Sequence, residues 1–161
     1  MALDIITELE GLVDALDLEG VDYAVCGGLA LGILGHPRMT KDIDLLVRGE
    51  DVGRALEVAK LQGFDVPARR MVFRAGQADA QEMHHRSKLD PETAALLPVD
   101  FFVVMPIFES VWASRIGASY RQRTIKVVSP AGLATMKRLA GRPQDLADLA
   151  ALEALQDDRE A

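Results

Sequence analysis

The chain has 161 residues, 49% of them hydrophobic, which is enough to bury the core of one domain without disulfides or a structural metal. A single cysteine, Cys26, excludes an intrachain disulfide, and no run of 18 apolar residues is present to form a transmembrane helix. The net charge of -7, from 18 basic and 25 acidic residues, argues against tight sequence-independent binding of long nucleic acid, while leaving room for a local basic cleft around a small anionic substrate.

Leu3, Ile6, Leu9, Val13 and Leu16 recur at helical spacing and predict an amphipathic helix over residues 3–17. Tyr23-Ala24-Val25-Cys26 reads as a short strand, broken by Gly27-Gly28, and residues 29–34 as a short helix stopped by Gly35 and Pro37. Residues 42–47 form a strand that alternates and then turns wholly apolar. Residues 51–62 form a helix with Gly63 beyond its end. Phe64-Asp65-Val66 and Met71-Val72-Phe73 read as strand pieces. Within residues 75–97, Met83 to Arg86 suggests a strand, and Pro91 to Leu97 a loop or helical turn. Residues 99–104 and 124–128 are apolar strands. Ser129-Pro130 is a helix start, with Ser as cap and Pro as first helical residue. That helix runs to about Ala140. A second helix, 144–156, follows the break at Gly141-Arg142-Pro143. The alternation predicts an α/β fold in one domain: a mixed sheet flanked by helices over about residues 1–128, with a helical tail over about 129–161.

Asp42 and Asp44 stand two apart on a strand, so both carboxylates point to one face while Ile43 and Leu45 point into the core. Two adjacent carboxylates repel, and apolar neighbours make the repulsion costly. A divalent cation removes it. Mg²⁺ takes oxygen ligands, typically one or two carboxylates together with substrate phosphates. Asp100 places a third carboxylate on another apolar strand. If the strands are neighbours, the three can hold two metals, an arrangement that clamps the attacking and leaving oxygens of nucleotidyl transfer. Upstream, Gly27-Gly28 opens a helix, where a backbone without side chains can approach a phosphate. Arg38 and Lys41 flank the carboxylates and are expected to add positive charge for a leaving pyrophosphate.

Taken together, these residues resemble the nucleotidyltransferase (DNA polymerase β-like) superfamily, whose pattern hG[GS], about a dozen residues, Dh[DE]h and a later acid is matched by Cys26-Gly27-Gly28, Asp42-Ile43-Asp44-Leu45 and Asp100. The stretch Arg38-Met39-Thr40-Lys41-Asp42-Ile43-Asp44 looks like that of small bacterial members. The tail, from Ser129-Pro130 through Met136-Lys137-Arg138 to Gly141-Arg142-Pro143-Gln144-Asp145-Leu146-Ala147-Asp148, is similar to that of AbiEii-type toxin nucleotidyltransferases, although the chain is shorter than those toxins. The resemblance implies Mg²⁺ (or Mn²⁺) as cofactor and an NTP as substrate. It implies Asp42, Asp44 and Asp100 as catalytic and metal-binding residues, and nucleotide contacts from Gly27, Gly28, Arg38, Lys41, Lys137 and Asp145. It also implies a cytoplasmic, non-membrane enzyme. The acceptor hydroxyl is left open between tRNA, a protein side chain and an antibiotic-type small molecule, and a cognate toxin or antitoxin partner is implied by resemblance alone.

Other residues read more plainly. Cys26 fits a small core position, and His84-His85 a polar strand whose adjacent side chains face opposite ways. Phe108 and Trp112, four apart, read as helix-to-core packing, and Asp157, Asp158, Arg159 and Glu160 as a solvated helix end. Lys137 flanks the stripe of Leu133, Met136 and Ala140. Its stem is expected to lie on protein with the ammonium reaching a phosphate, and its removal to affect nucleotide binding more than stability. Two further readings compete with an enzyme acting on a macromolecule: a nucleotide-binding or protein-interaction module without turnover, and a small-molecule resistance enzyme.

Overall fold

The computed structural model describes residues 2–160, and the solvated end read at Asp158, Arg159 and Glu160 lies outside the described side chains. Helix α1 (Ile5–Leu18) is capped by Asp4, whose carboxylate accepts from the Thr7 amide and hydroxyl, and it buries Leu9, Leu12, Val13 and Leu16. Strand β1 (Ala24–Cys26) runs directly into α2 (Gly27–Ile33). Strand β2 (Ile43–Val47) follows, then α3 (Val52–Leu61), introduced by a 3₁₀ turn at Gly49–Asp51. A long ribbon of β3 (Val66–Phe73) and β4 (Gln81–Leu89) leads to β5 (Leu96–Val103). Helix α4 (Glu109–Ala113), the hairpin β6 (Ile116–Tyr120) and β7 (Arg123–Val127), and helices α5 (Pro130–Ala140) and α6 (Pro143–Glu160) complete the order.

The seven strands form one mixed sheet in the order β3-β4-β5-β2-β1-β7-β6. β2 pairs in parallel with β5 and β1 in parallel with β7, while the other neighbours are antiparallel. The centre of the sheet is its driest part: Ile43, Leu45, Leu46, Val47, Val99 and Phe101 are fully buried. At about 25 cal/mol per Å² of apolar area, burial on both faces of these strands is the main stabilising term. Among the described residues no helix is long and apolar enough to cross a membrane.

The elements differ from expectation where strands are half solvated. β3 is one strand of eight residues rather than two pieces; its register shifts between Val66 and Arg69, where Pro67 cannot join a regular ladder. β4 is nine residues long, although Gln81 to Leu89 is mostly polar. β6 carries little apolar signal, and its turn to β7 is made by Arg121 and Gln122 at positive φ (48° and 66°) rather than by an Asn-Gly pair. Phe108 and Trp112 do pack in the core.

The tail begins as its sequence implies. Ser129 Oγ accepts from the Gly132 amide at 3.0 Å, and Gly141 ends α5 in the left-handed region at φ 65°. The tail helices are fastened to the sheet by buried charge. Lys137 is 5% exposed, and its Nζ lies 3.3 Å from Asp145 and 2.8 Å from Asp148. Asp148 in turn receives Nε and Nη2 of Arg38, each at 2.9 Å, 110 residues away in sequence. Lys137 was expected to affect nucleotide binding more than stability; these ion pairs give it a structural task as well, because removing it leaves two buried carboxylates short of a cation. Lys137→Ala is therefore expected to lower the unfolding free energy by about 3 kcal/mol, the low end for a broken buried pair because Arg38 and Arg142 remain. Urea denaturation checks this, and an unchanged midpoint would show that the network does not hold the tail.

Candidate active site

The parallel register of β2 and β5 sets Asp44 directly beside Asp100, with Ile43 beside Val99 and Leu45 beside Phe101. Directly paired residues point to the same face, so both carboxyls leave the sheet together while their neighbours fill the core on the other face. Asp42 stands one residue before β2 and is exposed, yet close enough for its charge to act on both Asp44 and Asp100. The three predicted acids thus gather on one face, two in the sheet and one at its edge.

Gly27 closes this arrangement from above. It opens α2 at φ 66°, and a Cβ built on it would lie 2.0 Å from Asp44 Oδ2. Only glycine suits both the backbone conformation and the contact. Gly28 is bounded differently: a Cβ there would meet Thr40 Oγ1 at 2.8 Å and Arg38 Nη2 at 3.1 Å, so Arg38 lies over the second glycine. Cys26, paired with Asp44 across β1 and β2, lines the same cleft. Burial, and then the Asp44 charge, push its thiol well above the ordinary range, which makes it a packing residue and not a thiolate nucleophile.

The electrostatics are those of crowded acids. Burial, followed by the charges of Asp100 and Asp42, raises the Asp44 carboxyl to about 8. Asp44 is therefore an acid at neutral pH in the metal-free protein and donates to Asp100. Burial raises the Asp100 carboxyl too, against an opposing hydrogen bond with His85, whose Nδ1 is 2.5 Å from Asp100 Oδ1. Among the described residues no group of three or more acidic, histidine or cysteine side chains is closed into a ready cage for a metal ion. The residues still fit one. Two adjacent carboxyls that hold a proton for want of positive charge, beside a glycine-walled opening, match the one or two carboxylates that Mg²⁺ takes alongside substrate phosphates.

The cleft continues from Gly27 and Asp44 under α5, lined by Leu133, Met136, Lys137 and Ala140, to Arg142, and along the sheet to Gln81, Phe102 and Phe108. Lys137 and Asp145 thus reach the cleft wall. Asp145 is a clamp: its carboxylate accepts from Arg142 Nε at 2.7 Å, from the Arg142 amide at 3.1 Å and from Lys137 at 3.3 Å. Burial would raise Asp145, but those partners outweigh it and hold it below the usual carboxylate range. Asp148 is lowered in the same way, burial being outweighed by Arg38, Lys137 and Gln144.

Lys41 does not join the site. It lines a separate groove with Leu3, Asp4, Ile5, Thr40, Asp90 and residues 95–97. Sequence reasoning gave no role to three residues that the structure brings in. His85 shares the face of Asp100 across β4 and β5. Ser87 hydrogen-bonds His85. Arg142, read as part of a helix break, has a charge that acts on Asp44 and Asp42. The helix-break pattern located Arg142; the pairing of His85 with Asp100 had no local signal.

No family model matches the chain, and no curated protein matches it in sequence. Solved structures do. The Thermotoga maritima protein TM1012, assigned as a nucleotidyltransferase, superposes with a TM-score of 0.62 at 15% identity, over 91% of this chain and 90% of its own. The aminoglycoside enzyme ANT(2″)-Ia in complex with adenylyl-2″-tobramycin gives 0.59 at 15% identity, over 97% and 98%. The lincosamide antibiotic adenylyltransferase LnuA with lincomycin bound gives 0.58 at 15% identity, over 92% and 96%. This chain has the nucleotidyltransferase fold. The likeness spans at least 90% of each of these chains and of this one.

The raised Asp44 carboxyl makes a signed prediction for the metal-free protein. A carboxyl at about 8 in the folded state and at its ordinary 3.8 when unfolded binds its proton more tightly when folded. Its contribution is fully present below about pH 4 and is lost as pH rises through about 8, at a slope of about 1.4 kcal/mol per pH unit. Asp44→Asn, which keeps the shape and removes the ionisation, is expected to leave stability near pH 3.5 little changed and to raise it progressively towards pH 8.5, flattening the profile between. Thermal melts in chelator across that range check this; an Asn variant less stable than wild type at pH 8.5 would contradict it.

Proposed function

We propose that the protein is a metal-dependent nucleotidyltransferase, which moves a nucleoside monophosphate from an NTP to a hydroxyl acceptor and releases pyrophosphate. The observation that carries this reading is the in-register pair Asp44–Asp100 beneath Gly27, with Asp42 at the rim. A binding module gains nothing from two buried acids forced to share a proton. The fold supports the reading, since two of its structural neighbours are named for adenylyl transfer or its product.

In this scheme Asp42 and Asp44 hold Mg²⁺ or Mn²⁺, with Asp100 alongside. A bound divalent cation supplies Lewis-acid stabilisation of the phosphoryl oxygens and lowers the pKa of the attacking hydroxyl. Gly27 and Gly28 let the triphosphate approach the start of α2, whose first amides have no intrahelical acceptors. Arg142 is the cation best placed for the triphosphate: its side chain is 74% exposed although it is anchored on Asp145. Arg38 and Lys137 contribute positive potential while remaining tied to Asp148. With Oδ1 of Asp100 held by His85, Oδ2 is the oxygen left to take the acceptor proton. The tail pattern of Lys137 and Asp145 is the ground for proposing, further, a small AbiEii-type member in a toxin–antitoxin module.

The experiment is nucleotidyl transfer from labelled NTPs with Mg²⁺ or Mn²⁺ to tRNA, candidate partner proteins and hydroxyl-bearing antibiotics. Label is expected on one acceptor class only. The double variant Asp42→Asn with Asp44→Asn is expected to cut the rate at least about 10³-fold, as loss of a main charge-stabilising element does, while remaining folded. A double variant as active as wild type would refute the assignment.

A further inference from the structure

Behind Asp100 lie two further residues of β4, the half-buried His85 and the buried Ser87. β4 and β5 pair His85 directly with Asp100, so the imidazole leaves the sheet on the same face as the carboxylate. Its Nδ1 is 2.5 Å from Asp100 Oδ1, and its other nitrogen, Nε2, is 3.1 Å from Ser87 Oγ. Ser87 is 2% exposed and sits two residues along β4, on the same side as His85. The directions of the bonds follow from the partners. A carboxylate oxygen only accepts, so Nδ1 carries the hydrogen. At Nε2 a neutral imidazole accepts from the Ser87 hydroxyl and an imidazolium donates to it; in either state each member fixes the next, Ser87 holding the ring and the ring holding Oδ1 of Asp100.

We propose that the chain Ser87–His85–Asp100 is a positioning relay that reserves one oxygen of Asp100 for the metal and the acceptor by occupying the other. The inference rests on the nucleotidyltransferase reading of the site and deepens it. The geometry has a reason. Asp44 and Asp100 stand in register and compete for the same small volume. A free carboxyl at 100 rotates to take the Asp44 proton through either oxygen, or spreads both oxygens over one ion. Anchored at Oδ1, it presents only Oδ2. Partners that hold a ligating side chain in one orientation typically contribute a factor of 10–100 in metal affinity or rate. The neighbouring His84 is engaged elsewhere, with Nε2 2.9 Å from Glu82, so the two adjacent histidines have separate tasks on opposite faces of β4.

Three variants test this. His85→Ala removes the donor. His85→Asn restores a side-chain N–H close to the Nδ1 position. Ser87→Ala leaves the imidazole in place but removes the partner that holds its Nε2. Mn²⁺ affinity is read by EPR on the nucleotide-free protein, and kcat and KM separately in the transfer assay. His85→Ala is expected to weaken Mn²⁺ binding about 10–100-fold and to lower kcat by a similar factor, with KM for the NTP nearly unchanged. His85→Asn is expected to recover most of both losses, and Ser87→Ala to lose about threefold to tenfold. Equal Mn²⁺ affinity in wild type and His85→Ala, or an Asn variant as impaired as the Ala variant, would overturn the relay. A wild type that binds Mn²⁺ but transfers nothing to any acceptor would defeat the nucleotidyltransferase reading, and the Mn²⁺ ratios would still decide the relay.

Discussion

The parallel pairing of β2 with β5 places two carboxyls side by side where apolar packing leaves them little water, and much of the site answers that repulsion. In the metal-free protein the answer is a proton. Asp44 is raised to about 8 and donates to Asp100, while His85 takes the far side of Asp100. Gly27 lies so close to Asp44 that the position leaves no room for any other residue. The sheet thus holds the acids together more firmly than their charges drive them apart. Such stored repulsion is what a site for a divalent cation needs, because the ion replaces the proton and is favoured by every interaction that made the proton necessary.

A second charge system, of opposite purpose, lies a few residues away. Lys137, Arg38 and Arg142 are tied by Asp145 and Asp148, both of which are lowered because their cations outweigh burial. This network is nearly self-neutralising and connects α5 and α6 to the segment between α2 and β2. It fixes the tail over the cleft, and it moderates the positive potential that three cations would otherwise present. On the proposed reading, a triphosphate entering the cleft would meet cations already held in place, with little side-chain entropy left to lose. A net charge of -7 is compatible with this, since the positive potential is local.

The parts of the fold that sequence made legible are those where one physical signal dominates. The D-x-D strand and the Ser129-Pro130 start each carry an unambiguous pattern and stand within a residue of their expected place; the apolar strand at Asp100 starts three residues earlier than expected, at Leu96, and Gly27-Gly28 is the first turn of α2 itself. The ribbon β3–β4 and the strand β6 were obscure because half-solvated strands owe their form to pairing partners and not to their own composition. Pro67, Arg121 and Gln122 are poor local signals for the conformations they adopt. In the site, the spacing put Asp44 and Asp100 on strands that pair in register, with Asp42 just before β2. Lys41, expected beside the phosphates, lines a separate groove, and Lys137, marked by the apolar stripe it flanks, is held between Asp145 and Asp148. His85 was passed over because its partner is 15 residues away, and only the register of β4 on β5 joins them.

We propose that Asp42, Asp44 and Asp100 together bind a divalent cation. Anomalous diffraction from crystals grown with Mn²⁺ and a non-hydrolysable NTP analogue tests this, with an anomalous peak expected between Asp42 and Asp44, within about 2.3 Å of a carboxylate oxygen of each, in contact with the triphosphate and adjacent to the oxygen of Asp100 that His85 leaves free. Mn²⁺ bound elsewhere, with Asp44 still sharing its proton with Asp100 beneath Gly27, would contradict it.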